Sequence, residues 1–408
     1  MSYQKYIDLG YKPSKDDLVC TFKIKPGKGV SRKSAIGAVA AESSTGTWTK
    51  LTTMDEGMMA KLGAKVFWIN GKYAKIAYPC NLFEKGNMPQ ILSSIAGNIF
   101  NMKEVSELRL EDVRWPKKIM DSFKGPKFGV KGIRKLLKVK KRPLCGTIVK
   151  PKLGLNEKQH AKVAYESWKG GVDIVKDDEN LTSQPFNKFN KRIVETLRLR
   201  DKVEKETGEK KIYMPNVTAE TNEMIKRAEF VKRKGGEYIM VDILTVGWSA
   251  LQTLRNKNFG MVIHAHRAMH GALTRNKNHG ISMMVLAEAA RMIGVDQLHI
   301  GTAVGKMDET EREVIDINKK INGSMGKLKP VFSVCSGGLH PGHVPKLVKM
   351  LGKDIICQFG GGVHGHPKGT EAGAKAVRQA IDATMKGISL KDYAKKYKEL
   401  GAAIKKWI

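Results

Sequence analysis

Cysteine is scarce in this chain, and the few that occur form no metal-binding or disulfide pattern. There are five among 408 residues, an odd number, and no two of them form a C-x-x-C pair. Such usage is typical of reduced thiols and argues against a disulfide framework or a zinc ribbon. The N-terminus lacks the apolar stretch of a secretory signal, and no segment is apolar for the length of a membrane span. We therefore expect a soluble, cytoplasmic protein with no membrane partner.

Acidic residues are also few: 40 Asp and Glu oppose 73 Lys and Arg, a formal net charge of +33. This excess is large enough to attract nucleic acid or an anionic small molecule. The lysines, however, are spread over the whole chain, without an aromatic-interleaved basic stripe or a nucleic-acid motif. A general enrichment in lysine is the favoured explanation, and attraction of a polyanionic substrate is the second. We expect no nucleic-acid partner.

The length and the 41% hydrophobic content predict a globular protein of two domains. In the first 130 residues, apolar patterns predict strands at 18–24, 65–69, 73–78 and 105–113, with helices at 31–43 and 88–100. This βαββαβ order predicts a ferredoxin-like α+β domain. A Gly/Pro-rich stretch at 125–129 then breaks the pattern. We place the domains at residues 1–130 and 131–408.

The second domain has a different rhythm, with short apolar segments separated mostly by helical patterns such as 220–234 and 282–292. The apolar segments lie at 146–149, 172–175, 212–214, 238–241, 261–263, 297–300, 331–334 and 355–359. Eight strands alternating with helices over this length predict a (β/α)8 TIM barrel followed by C-terminal helices.

Polar residues and glycines follow these strands, where barrel active sites are built. They are Lys150, Lys152, Lys176, Asn216, His264, His266, Arg267, His299, Ser336, Gly337, Gly338, Gly360 and Gly361. The glycine groups fall after the seventh and eighth strands, where such barrels often hold phosphate, and glycine lets backbone N–H groups approach it closely. Each glycine group alone is also compatible with an ordinary tight turn.

One strand end carries an unusual concentration of charge. After Val172–Val175 come Lys176, Asp177, Asp178 and Glu179. Because strand side chains alternate, Lys176 and Asp178 should face one way and Asp177 the other. Three acids at one strand end suit a hard cation such as Mg2+. A solvated charged turn containing a Lys–acid pair is equally open.

Several segments together resemble the large subunit of ribulose-1,5-bisphosphate carboxylase/oxygenase (RuBisCO), in the same order and spacing over both domains. They are Gly146-Thr-Ile-Val-Lys150-Pro-Lys152, Gly170-Gly-Val-Asp-Ile-Val-Lys176-Asp-Asp-Glu179, His264-Ala-His266-Arg267, Gly301-Thr-Ala-Val-Gly305-Lys306, Ser336-Gly-Gly338 and Glu42-Ser-Ser-Thr-Gly-Thr47-Trp48. The short chain, and Ile148 where plant-type enzymes have threonine, resemble the archaeal and bacterial form III or II/III members. Those members lack a small subunit.

The resemblance implies a catalytic centre. Lys176 would react with a non-substrate CO2 to give a carbamate, which completes a Mg2+ site with Asp178 and Glu179. The carbamate would take the C3 proton of the substrate, and Lys306 would steady the carboxylate that forms from the substrate CO2. His266 would assist hydration and later proton steps. Lys150 would protonate C2 of the departing product, and Lys152 would support the site electrostatically.

The resemblance also implies how the substrate is held. One phosphate would contact Arg267, His299 and Ser336; the other would contact Gly337, Gly338, Gly360 and Gly361 together with Thr47 and Trp48. The 301–309 loop would close over the substrate. Glu42, Thr47, Trp48 and Asn98 would come from a neighbouring subunit, which implies a homodimer or a higher homo-oligomer of dimers. Met307-Asp308 departs from the leucine and glutamate of many relatives and puts the discrimination between CO2 and O2 in doubt.

Two other enzymes on this fold remain as alternatives, and nucleic-acid binding by the basic surface is a distant third. An amidohydrolase-type metal hydrolase also uses a His-x-His pair and sometimes a carbamylated lysine, but on other strands than here. A RuBisCO-like enolase or isomerase is the main alternative, although such relatives usually replace several of the residues retained here, including Lys150 and Lys306. For the carboxylase we expect ribulose-1,5-bisphosphate, CO2 and competing O2 as substrates, and a role in AMP or nucleoside salvage.

Overall fold

The structure, a computed structural model, describes residues 3–49 and 51–408 and divides into two compact units. The first comprises the chain up to Lys124 with Met269–Ile293 and Met325–Leu328. The second comprises Gly125–Ala268, Gly294–Ser324 and Lys329–Ile408. The predicted boundary at residue 130 stays a prediction.

The first unit is built on a five-stranded mixed sheet with the strand order β10-β4-β1-β3-β2. Its elements are β1 (Leu18–Pro26), α1 (Arg32–Glu42), α2 (Glu56–Leu62), β2 (Lys65–Asn70), β3 (Tyr73–Tyr78), α3 (Met88–Ala96), β4 (Val105–Arg114) and α4 (Lys117–Met120). The pairs β1–β3, β1–β4 and β2–β3 are antiparallel, which confirms the ferredoxin-like domain. Alternate β1 side chains such as Phe22 and Ile24 are buried, as a sheet with one face on the core requires.

One predicted helix is shorter than expected, and another is formed where it was predicted. The helix predicted at 88–100 ends at Ala96, because Gly97 leaves the helical region (φ −92°, ψ −125°) and a 3-10 turn, Asn98–Asn101, follows. The helix predicted at 282–292 is formed over Met283–Ile293 and groups with the first unit. The Ser282 backbone N–H donates to Leu110 O on β4 at 2.9 Å, and its hydroxyl donates to Glu111 O at 2.6 Å.

The second unit confirms the predicted TIM barrel, with eight parallel strands in the order β7-β6-β5-β13-β12-β11-β9-β8. From Gly125 onward, the elements of the molecule in chain order are α5 (Gly129–Leu137), β5 (Leu144–Ile148), α6 (Glu157–Lys169), β6 (Ile174–Lys176), α7 (Phe189–Thr207), β7 (Ile212–Met214), α8 (Thr221–Arg233), β8 (Tyr238–Asp242), α9 (Ile243–Val246), α10 (Trp248–Lys257), β9 (Val262–His266), α11 (His270–Thr274), β10 (Gly280–Ile281), α12 (Met283–Ile293), β11 (Gln297–His299), α13 (Glu311–Asn322), β12 (Phe332–Ser336), α14 (Val344–Leu351), β13 (Ile355–Phe359), α15 (Gly361–His364), α16 (Gly369–Met385), α17 (Leu390–Lys396) and α18 (Lys398–Trp407). Of these, α11, β10 and α12 belong to the first unit. A parallel bridge between Asn216 and Met240 joins the segment after β7 to β8 and closes the barrel.

The apolar core lies at the N-terminal ends of the strands. Ile133 of α5 is fully buried in one cluster with Leu144, Ile174 and Phe332, which lie at or near the first residues of their strands. Because α5 and these side chains fill that end, the opposite end is left for polar side chains, as in other barrels of this type. Among the described residues, no helix is both long and apolar enough to cross a bilayer.

Candidate active site

Lys176 is the last residue of β6, and its side chain is only 1% exposed. The Nζ atom donates to Asp177 O at 2.7 Å and lies 3.3 Å from Glu179 Oε2. A buried ammonium is costly unless hydrogen bonds and counter-charges surround it. The strand therefore ends in a buried amine that is held between a carbonyl and a carboxylate.

The carboxylates of Asp178 and Glu179 lie beside amines. Asp178 is buried, and its Oδ2 accepts from Lys150 Nζ at 2.6 Å. Burial acts to raise the pKa of Glu179, but the charges of Lys176 and His266 outweigh it and lower that pKa to about 2. Glu179 is thus held as an anion. Lys152, nearby in the chain, donates to Asn180 Oδ1 at 3.1 Å.

Asp177 faces the other way, as the alternation predicts. Its carboxylate is fully buried, accepts from the Tyr213 hydroxyl at 2.7 Å and lies 3.1 Å from both Arg192 Nη2 and His160 Nε2. Burial acts to raise the pKa of Asp177, but Arg192 and His160 lower it well below its usual value. This acid therefore connects β6 to the surrounding helices, and its role is structural.

His266 ends β9 and is oriented by an acid on the adjacent strand. Its Nδ1 lies 2.9 Å from Asp242 Oδ1, and its Nε2 lies 3.6 Å from Glu179 Oε2. The Ala268 N–H also points at Nδ1, at 3.2 Å, but the shorter contact with the Asp242 carboxylate favours hydrogen on Nδ1 and leaves Nε2 directed at the charged cluster. The sequence prediction missed Asp242, because strand β8 was expected to end one residue earlier.

Two further histidines form a buried chain with Gln297 and Ser336. His264 Nδ1 lies 2.9 Å from Gln297 Oε1, His264 Nε2 lies 2.8 Å from His299 Nε2, and His299 Nδ1 lies 2.7 Å from Ser336 Oγ. Burial lowers the pKa of both His264 and His299 well below the usual value, and nearby cations, Lys176 among them, lower it further. Both rings are therefore neutral. The sequence prediction also missed Gln297, because it selected residues at the ends of strands and Gln297 begins one.

Arg267 follows β9 and is buried. Its Nη2 donates to Glu309 Oε1 at 2.5 Å. Burial lowers the pKa of this guanidinium, and Glu309 partly offsets the shift. No sequence signal pointed to Glu309, because its loop is irregular.

The glycines predicted for the site follow the strands β12 and β13. Gly337 (φ +114°) and Gly338 (φ +76°) follow β12, and Gly337 O accepts from Lys306 N at 3.0 Å. A Cβ on Gly360 would lie 3.3 Å from Lys150 Cε. Gly361 begins the short helix α15. The Lys306 side chain itself is exposed.

Four residues predicted for the site lie in the first unit: Glu42, Thr47, Trp48 and Asn98. Glu42 is the last residue of α1, and Asn98 begins the 3-10 turn after α3. Trp48 is 79% exposed, a large value for an aromatic side chain, and Asn98 is also exposed.

An eight-stranded barrel with a buried lysine between carboxylates at its strand ends defines an enzyme of the TIM-barrel class. The chain matches two family models: the ribulose bisphosphate carboxylase large chain N-terminal domain over residues 5–119 and its catalytic domain over residues 129–407. It therefore belongs to the RuBisCO large-chain family, whose named members are carboxy-lyases.

Similar proteins come from archaea. The ribulose bisphosphate carboxylase of Methanocaldococcus jannaschii is 52% identical, over 98% of this chain and 99% of that protein. The crystal structure of octameric Rubisco from Pyrococcus horikoshii OT3, complexed with sulfate ion, has a TM-score of 0.96 at 50% identity, over 99% of this chain and 96% of that one. Dimeric Rubisco from Hyperthermus butylicus has a TM-score of 0.93 at 46% identity, over 99% of both chains.

Proposed function

We propose that this chain is a ribulose-1,5-bisphosphate carboxylase, with competing oxygenase activity, that makes 3-phosphoglycerate from ribulose-1,5-bisphosphate, CO2 and water. The observation that carries the proposal is the buried Lys176 amine beside the Asp178 and Glu179 carboxylates at the strand ends of a barrel. Relatives about 50% identical over the whole chain are named ribulose bisphosphate carboxylase, which supports the same chemistry here.

The donor chemistry fits Mg2+, provided that Lys176 is carbamylated by an activating CO2. Among residues 3–49 and 51–408, no group of three or more His, Cys, Asp and Glu side chains is arranged to hold a metal. Asp178 and Glu179 supply two anionic oxygen ligands, so a carbamate on Lys176 would supply the third, and oxygen ligands are those that Mg2+ prefers. When bound, Mg2+ would supply Lewis acidity that stabilises negative charge on substrate oxygens.

The side chains around this centre would move protons. Lys176, as its carbamate, would take the proton from C3 of the substrate. His266, held by Asp242 through Nδ1, would use Nε2 in hydration of C3 and in the proton steps that follow. Lys150, 2.6 Å from Asp178, would deliver a proton to C2 of the departing product. Lys152 would add positive potential, and the Lys306 ammonium would stabilise the carboxylate formed from the substrate CO2.

The phosphates would be held at two places. Arg267, His299 and Ser336 come together after β9, β11 and β12 and would take one. Gly337, Gly338, Gly360 and Gly361 would offer backbone to the other, completed by Thr47 and Trp48 of a neighbouring copy. Exposure of Trp48 and Asn98 supports that pairing, in which Glu42 would meet Lys306.

The minimal assembly proposed is therefore a homodimer, or a higher oligomer of dimers, without a small subunit. The similar structures described as dimeric and octameric support this. We also propose the division into domains 1–130 and 131–408, a cytoplasmic location, and a role in AMP or nucleoside salvage, which the likeness to archaeal enzymes supports. A source genome without AMP phosphorylase and ribose-1,5-bisphosphate isomerase would contradict the salvage role.

The decisive experiment is incubation with labelled bicarbonate, Mg2+ and ribulose-1,5-bisphosphate, followed by counting of acid-stable product. We expect labelled 3-phosphoglycerate, lost in Lys176→Ala and in Lys306→Ala and retained in Lys158→Ala, an exposed lysine on α6. Product that persists undiminished in Lys176→Ala would refute the activation chemistry. Enolisation of a sulfur-containing substrate without CO2 dependence would favour the enolase alternative.

A further inference from the structure

The Arg267 guanidinium already binds a carboxylate of its own chain. Nη2 donates to Glu309 Oε1 at 2.5 Å, and the two side chains are 6% and 12% exposed. The other terminal nitrogen, Nη1, is buried and has no hydrogen-bond partner in the described parts of the chain. A buried guanidinium with an unused donor is an incompletely filled anion site, because its planar fork suits two or more oxygens.

The backbone makes room for this ion pair. Gly301, with φ +90°, begins the 301–309 loop, and a Cβ there would lie 2.8 Å from Glu309 Oε2 and 3.2 Å from Arg267 Nη2. Any other residue would therefore crowd both partners. The ends of both side chains would then have to shift, and the positive φ itself favours glycine at this position.

The middle of the same loop contacts the backbone of Gly337. Lys306 N donates to Gly337 O at 3.0 Å, and a Cβ on Gly305 would lie 1.8 Å from that oxygen. Two of the loop's attachments are thus the ion pair of Glu309 at its end and, in its middle, a hydrogen bond that only a glycine at 305 permits. Of these two attachments, only the ionic one can be exchanged for another anion.

We infer that Glu309 occupies on Arg267 the place of a substrate phosphate, so that an arriving phosphate displaces this carboxylate and releases the loop that carries Lys306. Carboxylate and phosphate bind the guanidinium fork in the same way. Two anions cannot both stay buried beside one cation without mutual repulsion. Binding of the phosphate thereby increases the mobility of the loop that carries Lys306, the residue proposed to stabilise the new carboxylate. The substrate phosphate on Arg267 and the later action of Lys306 rest on the proposed function, whereas the competition between Glu309 and a phosphate can be tested without it.

Titration calorimetry of the full chain with inorganic phosphate tests the competition directly. In Glu309→Gln, which keeps the side chain's shape without its charge, phosphate should bind about tenfold more tightly, as expected if the internal carboxylate holds the site about nine-tenths of the time. The matched control is Glu311→Gln, the same charge change two residues further on, where the side chain is 53% exposed and 3.3 Å from Lys346. Its phosphate affinity should equal that of the unsubstituted chain. Equal or weaker phosphate binding by Glu309→Gln overturns the inference.

Hydrogen exchange on the unsubstituted chain gives an independent test that needs no variant. Saturating inorganic phosphate should speed amide exchange in residues 302–309 several-fold, and unchanged or slower exchange there overturns the inference. A carboxylation assay distinguishes failure of the proposed function from failure of the competition between Glu309 and phosphate. If no variant makes 3-phosphoglycerate but Glu309→Gln binds phosphate more tightly, the proposed function fails and the competition stands. If carboxylation is normal and the phosphate affinities are equal, the competition fails alone.

Discussion

The Nε2 atoms of His264 and His299 face each other at 2.8 Å, between two buried rings. Both rings are neutral, so one Nε2 must donate and the other accept. Gln297 sets the direction: its Nε2 lies 3.4 Å from the Tyr238 hydroxyl, and its Oε1 faces His264 Nδ1, which must then carry hydrogen. His299 is left with hydrogen on Nε2, and its Nδ1 accepts from Ser336.

Substitution of Gln297 should therefore change the tautomer of His299, a ring with which Gln297 makes no hydrogen bond in this chain of contacts. In Gln297→Met, which has similar length but no acceptor, the tautomers of His264 and His299 should redistribute, and KM for ribulose-1,5-bisphosphate should rise about fivefold, the worth of one hydrogen bond. Gln297→Glu keeps an acceptor and should retain both tautomers. Nitrogen-15 NMR of the imidazoles reports the tautomers independently of activity. Unchanged spectra in Gln297→Met would contradict the assigned direction.

Removal of the charge that orients His266 should slow catalysis with little effect on folding. Asp242→Asn can present its NH2 group to Nδ1 and so favour the wrong tautomer, which should lower kcat about 100-fold, within the usual range for acid–base groups. The control is Asp392→Asn on α17, a 61% exposed acid that contacts Lys395 of the same helix and Ser389 just before it. A kcat within a factor of two of the unsubstituted chain would remove Asp242 from the proton-transfer machinery.

A second acid, at the start of the β6 segment, should control stability at low pH. Asp173 is buried and accepts two bonds of 2.7 Å from Arg142. Burial acts to raise the pKa of Asp173, but Arg142 outweighs it and the pKa is lowered below 3.8. Because the folded pKa is depressed, the stabilisation is fully present above about pH 4, the usual carboxyl value, and is lost as pH falls through the folded pKa.

Asp173→Asn should accordingly lower the free energy of unfolding by about 3 kcal/mol at pH 7, and the deficit should shrink at pH 3. The control Asp201→Asn disrupts an ion pair of 2.6 Å to Arg200 in which the acid is 57% exposed, and it should cost less than about 1 kcal/mol. Denaturant unfolding at both pH values measures the difference. A deficit for Asp173→Asn that does not depend on pH would contradict the assignment.

Close packing of α6 against α16 should make Gly170 intolerant of a methyl group. A Cβ there would lie 2.3 Å from Glu371 O and 2.5 Å from the Ala374 Cβ. The backbone angles of Gly170 suit any residue, so the cost would come from overlap alone. Gly170→Ala should destabilise the protein by about 1–3 kcal/mol, whereas Gly271→Ala, with nothing within 4 Å of its Cβ, should be neutral or slightly stabilising. Equal melting temperatures of the two variants would contradict the packing argument.

The barrel and its strand-end residues could be predicted because their signals are local. Each strand is a short apolar segment, and Lys176, His266 and Ser336 directly follow or end one. The side chains that orient them carry no such signal. Gln297 begins its strand, Glu309 lies in an irregular loop, and their partners are 33 and 42 residues away. Only the folded chain brings such pairs together, so a pattern read along the sequence misses them.

The helix at 283–293 shows the same limit at the level of domains. Its length and apolar spacing follow from the sequence, but its packing in the first unit involves residues far apart in the chain, such as Ser282 with Leu110 and Glu111.

Strand β10 has a consequence for synthesis of the protein. It pairs in parallel with β4 through Gly280 and Arg109 and through Ile281 and Leu110, and the next residue, Ser282, bonds to Glu111, 171 positions earlier in the chain. At ordinary translation rates that separation corresponds to roughly 10–30 s. During this interval a nascent chain on the ribosome presents the edge of β4 without its partner, and bare strand edges recruit other chains. A fragment that stops at residue 130 never gains that cover, and we expect it to aggregate where the full-length chain does not.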